Sequence, residues 1–209
     1  MKQSRAELEL MYKMNYDELC NYLVKKYGEV PGAYFVKESC KSKNRKIVRT
    51  NEGLFIHHIK ECESIELGNT NFAQRAPFEY QEGKNLVYCN YFEHMFLHIR
   101  IVKEFLNGNK VKQTRMIVGL GGLLNFIFPE IIDYINGYEY QKEYMRTALS
   151  VIDGNEDFFA QVISEFNKEL KNIMLKDSYL SYAISQAGLN RDIFIGKMTS
   201  AGAFNRLIK

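Results

Sequence analysis

All four histidines of this 209-residue chain fall between residues 53 and 100. His57 and His58 are neighbours in the run GLFIHHIKE, and His94 and His98 stand four positions apart in KNLVYCNYFEHMFLHIR. Residues four apart on a helix share a face, so the imidazoles of His94 and His98 project together and can share one divalent ion. Neighbours on an extended strand point to opposite sides. One histidine of the adjacent pair can therefore join that ion while the other stays free as a base. A neutral imidazole titrates near pH ~6.5 and can take a proton from water, while a bound cation acts as a Lewis acid. A structural zinc held by all four is a competing reading, but adjacent strand histidines fit a closed tetrahedron poorly.

The elements that must carry these side chains are visible in the pattern. Residues 53–56 form a β-rich run into the histidine pair, and residues 85–89 form another. Between them, residues 60–84 read as a long irregular loop with Gly68, Asn69, Asn71, Pro77 and Gly83 as turn formers. A helix is predicted from Asn90 or Tyr91 through Phe105, with His94, Phe96, Leu97, His98, Ile101 and Phe105 inward, until Asn107-Gly108-Asn109 breaks it. Upstream, Ser4 and Glu7 match a capping box. A second helix begins near Asn15 or Asp17 and ends at Gly28, which can take the left-handed conformation of a C-cap. A turn at Pro31-Gly32 and a short strand-like segment at 33–36 follow.

Beyond residue 110 the pattern is helical, over 114–128, 129–135, 138–152, 155–175 and 177–187. The glycines of Gly119-Leu120-Gly121-Gly122 lack the lysine of a P-loop and the strand context of a dinucleotide fingerprint, and read as close helix packing. Residues 179–193 faintly suggest a helix-turn-helix, with an ordinary helical hairpin the simpler alternative. The tyrosines and phenylalanines sit at helical or strand spacing and read as core.

A formal charge of +3 is too small to announce nucleic-acid binding, so the distribution of charge matters more. Five basic residues, Lys41, Lys43, Arg45, Lys46 and Arg49, fall within nine positions just before the histidine pair. Alone they read as a solvated loop; beside a phosphodiester-cutting site they would neutralise backbone phosphates. Cys20, Cys40, Cys62 and Cys89 have no zinc-knuckle spacing, and the N-terminus has no apolar signal region. Free thiols in a reducing cytoplasm are expected. The most apolar run, 116–128, is too short to cross a bilayer.

The pair His57-His58, then Asn85 at the head of a strand, then His94 and His98 on the next helix, resembles the HNH branch of the His-Me finger (ββα-metal) nucleases. It is most similar to the all-histidine version in colicin-type DNases, including nine positions from the asparagine to the first helix histidine. The likeness covers about a quarter of the chain, and the connection before Asn85 is longer than in compact members. The resemblance implies an α+β, predominantly helical fold with a ββα-metal finger embedded in it. It implies that His57, His94 and His98 hold one divalent ion (Mg, Mn, Ni or Zn), that His58 is the general base, and that Asn85 holds the loop that aims it. Residues 1–32 would then be N-terminal helices, 33–108 the nuclease core, and 109–209 a helical region for target binding or homodimerisation. The expected activity is hydrolysis of phosphodiester bonds in DNA, double-stranded by preference, as in a restriction, phage or mobile-element endonuclease. The alternative is a non-catalytic, zinc-stabilised module that binds nucleic acid or protein.

Overall fold

The computed structural model describes residues 3–106 and 119–174. Helix α1 spans Arg5–Lys13, and the Ser4 hydroxyl accepts from the Glu7 backbone N–H at 3.2 Å. Only that half of the expected capping box forms, because the Glu7 carboxylate turns to the Tyr22 hydroxyl and the Lys26 ammonium. Helix α2, Tyr16–Tyr27, has both halves: Asn15 accepts from the Glu18 N–H, and the Glu18 carboxylate accepts from the Asn15 N–H, each at 2.9 Å. Gly28 does take a positive φ of 84°, but its ψ of 168° is extended. The chain therefore leaves α2 straight and does not curl back in the left-handed turn the sequence predicts.

Segment 33–36 makes one isolated bridge, Phe35 to Lys43, and no strand. Strand β1, Phe55–His58, pairs antiparallel with β2, Leu86–Cys89, in a two-stranded sheet that sets His57 opposite Val87 and His58 opposite Leu86. The connection between them is not the irregular loop expected. It holds short helical turns at Ile59–Cys62, Phe78–Gln81 and Gly83–Asn85, and a one-turn helix α3, Thr70–Ala73, capped by the Asn69 side chain. Single turns of this kind bury too few residues to leave a hydrophobic period in the sequence.

Helix α4, Tyr91–Leu106, follows β2 directly. Its start is a reciprocal box: Asn90 accepts from the Glu93 N–H at 3.1 Å, and Glu93 accepts from the Asn90 N–H at 2.8 Å. The other Glu93 oxygen, in a fully buried side chain, accepts from Gln3 and Lys26 at 2.8 Å and from the Tyr27 hydroxyl at 3.0 Å. One carboxylate thus ties both N-terminal helices to the first turn of the histidine helix. Glu93→Ala leaves these donors facing an apolar gap, and a loss of about 3 kcal/mol is expected from denaturant midpoints. An unchanged denaturant midpoint would contradict this structural role.

Residues 119–135 run helical throughout, as a π-helical turn at Leu123–Ile127 that continues into α5, Phe128–Ile135. The predicted break before Pro129 is absent. A proline ring clashes with the carbonyl four residues back, here that of Asn125 inside the widened π turn, which gives the ring room. Helix α6 is confined to Glu143–Leu149 with a further turn at Ser150–Ile152, shorter than predicted at its start. Gly137, at φ 85°, ends the preceding helix, and the Arg146 guanidinium takes the carbonyls of Tyr140 and Gln141 at 2.6 and 3.0 Å, so that stretch has its partners outside a helix. Helix α7 spans Glu156–Met174. The predicted helix at 177–187 and the helix-turn-helix at 179–193 lie outside the described residues.

The fold is predominantly helical with one small antiparallel sheet. One apolar cluster runs from Leu8 and Leu19 through Val87, Phe92, Phe96 and Leu97 to Phe128, Phe159 and Phe166, with α4 contributing along its length. The N-terminal helices and the later helices therefore close over the histidine helix from different sides. Among the described residues no helix is long and apolar enough to cross a membrane, and the four cysteines are free thiols.

Candidate metal centre

β1 presents Phe55 and His57 to one side of the sheet and Ile56 and His58 to the other. The α4 helix lies against the His57 side, so the ring of His57 meets those of His94 and His98 at centroid distances of 5.4 and 5.3 Å. One ring nitrogen from each of His57, His94 and His98 lies within 4.8 Å of the other two, and among the described residues no other His, Cys, Asp and Glu group is arranged to hold an ion. The Nε2 atoms of His94 and His98 are 3.1 Å apart. Two imidazole nitrogens bound to one ion at ~2.05 Å are separated by about 3.0 Å in octahedral geometry and about 3.4 Å in tetrahedral geometry. The observed spacing falls in that interval.

Hydrogen bonding fixes how His57 can participate. The Tyr16 hydroxyl lies 3.0 Å from the Ile59 carbonyl and 2.9 Å from His57 Nε2. A carbonyl only accepts, so the single hydroxyl proton goes to Ile59 and the Tyr16 oxygen accepts from His57 Nε2–H. The lone pair of His57 is then on Nδ1, a buried atom with no hydrogen bond, 3.4 Å from a Glu61 carboxylate oxygen. The buried, unpaired Nδ1 lone pair is what a divalent ion shared with His94 and His98 would satisfy, and Glu61 lies outside that group. Burial, with the neighbouring histidines adding, holds His57 well below the usual imidazole range, and burial does the same for His94 with His98 adding. Both are neutral at pH 7, the form a metal requires. Burial, with the charge of Glu66 adding, pushes the Glu61 carboxyl up to about 7.

Gly122 completes the wall. A Cβ there would lie 2.5 Å from Nδ1 of His98, so only a glycine lets the segment approach that ring. Gly119 is as close to the helix itself, where a Cβ would lie 2.6 Å from the Val102 side chain and 2.9 Å from the His98 carbonyl oxygen. Of the three glycines read from sequence as packing residues, Gly119 and Gly122 pack on α4, while a Cβ at Gly121 would meet nothing within 4 Å.

His58 is on the opposite face and outside the cluster. It is 3 % exposed; its Nε2 meets Gln81 Oε1 at 2.9 Å, and its ring lies edge-on to Tyr34 at 4.7 Å. Burial lowers its pKa to about 4, with the Gln81 bond opposing and the Lys43 charge adding. Asn85, directly before β2, donates from Nδ2 to the Glu79 carbonyl at 2.8 Å and so pins the turn that carries Gln81.

The basic segment folds back on residues 34–36. Lys41, Lys43, Arg45 and Lys46 are exposed, and an open concavity is lined by Lys41, Ser42, Lys43, Arg45 and Val48. Lys43 donates to the Tyr34 hydroxyl at 3.1 Å, which connects this surface to the ring packed on His58. Arg49 is different in kind. Its guanidinium binds Glu52 at 2.6 and 2.7 Å and the Tyr27 carbonyl at 2.8 Å, and it lies 4.8 Å from the Tyr88 ring centroid. It fastens the segment to the body of the protein.

Comparison with protein-family models, with curated proteins and with solved structures finds no match to this chain.

Proposed function

We propose that this chain is a metal-dependent endonuclease of the HNH type that hydrolyses phosphodiester bonds in DNA, with His58 as general base. The observation that carries the reading is the division of the four histidines. Three imidazoles converge from β1 and α4, and the fourth is held apart by partners of its own. The order β1, β2, α4 agrees with a ββα-metal finger, and Asn85 sits at the head of β2 as that motif requires. In this reading His57, His94 and His98 bind one divalent ion, Mg, Mn, Ni or Zn. Bound by these three residues, such an ion would supply Lewis acidity and charge stabilisation to the phosphodiester. His58 takes the proton of the attacking water, and Asn85 holds the turn behind it. Lys41, Lys43, Arg45 and Lys46 neutralise flanking phosphates of double-stranded DNA, while Arg49 shapes the segment that presents them. The helices after residue 118 serve target binding or homodimerisation, in a restriction, phage or mobile-element setting.

A second reading, a non-catalytic zinc-stabilised binding module, is favoured by one observation: His58 is 3 % exposed. One titration separates the two. Full-length protein is given Mg, Mn, Ni or Zn, with a chelator control, while thermal melting and nicking of plasmid DNA or RNA are followed. A metal at one hundred times its Kd is expected to add about 2.7 kcal/mol of stability, and at least one metal to support nicking that the chelator abolishes. Stabilisation without cleavage of any substrate would favour the module, and no stabilisation by any ion would remove the metal centre.

A further inference from the structure

We propose that Gln81 is a positioning residue for His58: it fixes the tautomer so that Nδ1 is the atom that receives the proton. The inference rests on the reading of His58 as the base. Gln81 is fully buried, and its amide orientation is determined by two contacts. Its Nε2 lies 3.2 Å from the Leu67 carbonyl, which can only accept, so the amide nitrogen must face Leu67. The amide oxygen is left 2.9 Å from His58 Nε2, which must then carry the proton. His58 is thereby an Nε2–H imidazole with its lone pair on Nδ1.

The support behind Gln81 is rigid. Its carbonyl accepts from the Tyr34 N–H at 2.8 Å, and the Tyr34 ring packs against His58. Asn85 holds the same turn through the Glu79 carbonyl, and its own N–H donates to Glu82 at 2.8 Å. Asn85 therefore acts on the base at one remove, through Gln81. When Nδ1 accepts a proton from water, the hydroxide oxygen bonds to phosphorus and the P–O bond to the leaving oxygen breaks. The leaving oxygen takes its proton from solvent. The Nε2–H to Gln81 bond stays made throughout and stabilises the imidazolium, as an orienting partner does for other catalytic histidines.

Two variants test this. Gln81→Met keeps the volume and loses the acceptor; Gln81→Glu keeps the acceptor but loses the donor to Leu67. Long-range nitrogen-proton NMR of the histidine rings, with His58→Ala to assign the signal, reads the tautomer directly. The wild type and Gln81→Glu are expected to show Nε2–H at His58, and Gln81→Met a population of Nδ1–H. The kcat of Gln81→Met is expected to fall about 10- to 100-fold with KM and metal affinity unchanged, and that of Gln81→Glu to stay nearer the wild type. A merely structural Gln81 would make Glu as harmful as Met, because both lose the Leu67 bond. Retention of Nε2–H in Gln81→Met, or Nδ1–H in the wild type or in Gln81→Glu, would overturn the proposal. If the wild type cleaves nothing, the nuclease reading fails and the tautomers alone still decide whether Gln81 sets the ring.

Discussion

His58→Ala is expected to cut metal-dependent plasmid cleavage by at least ~100-fold while metal content stays at the wild-type level. The two halves of this result follow from different features of β1. Activity falls because the one imidazole outside the His57, His94 and His98 cluster is gone. Metal content holds because the strand turns His58 away from that cluster, toward Gln81 and Tyr34. The substitution also strands a buried amide oxygen on Gln81, at a cost of about 1–3 kcal/mol, so cleavage is compared below the melting temperature of the variant. Added free imidazole, small enough to enter the vacated space, is expected to restore part of the rate. Full activity in the variant would remove His58 from the mechanism, and loss of metal with loss of activity would make it part of the metal centre.

How far the sequence carried this picture depends on how local each feature is. The shared face of His94 and His98 and the opposite faces of His57 and His58 follow from helical and strand periods alone, and both are present. The partners that orient the rings do not. Tyr16 reaches His57 across 41 positions of sequence and Gln81 reaches His58 across 23, and neither residue type announces such a role. A glutamine in a long polar loop looks solvated until the loop is seen to fold under β1. Arg49 shows the converse: in the sequence it is one of five similar cations, and only its approach to Glu52, Tyr27 and Tyr88 separates it from the exposed four. Glu93, beside His94 in the chain, points from the helix to Lys26 and Tyr27, because successive helical residues diverge by about 100°.

The close approach at Gly122 leads to the second large expected effect, a loss of metal affinity caused by a residue with no ligand atom. In Gly122→Ala the new methyl group occupies space already held by the His98 ring, within 2.5 Å of Nδ1. Two responses are open. Either the ring rotates and its Nε2 leaves the 3.1 Å pairing with His94, or the π-helical segment lifts away from α4 at an overpacking cost of about 1–3 kcal/mol. The ring is the lighter part to move, so the first is expected: it widens the donor set, and affinity for Ni or Zn measured by calorimetry drops about 10- to 100-fold, the range seen when support around a metal ligand is disturbed, whereas the second would leave the donors in place and lower the melting temperature. Gly121→Ala is the matched control, since a Cβ at Gly121 meets nothing within 4 Å and either leaves binding unchanged or slightly favours the helix. Gly119→Ala should behave differently again. Its methyl group would meet the backbone oxygen of His98, which cannot step aside, so melting temperature falls together with affinity. Wild-type affinity in Gly122→Ala would mean that the segment yields in place of the His98 ring if the melting temperature falls, and that the three-histidine geometry is no guide to where a metal binds if it does not.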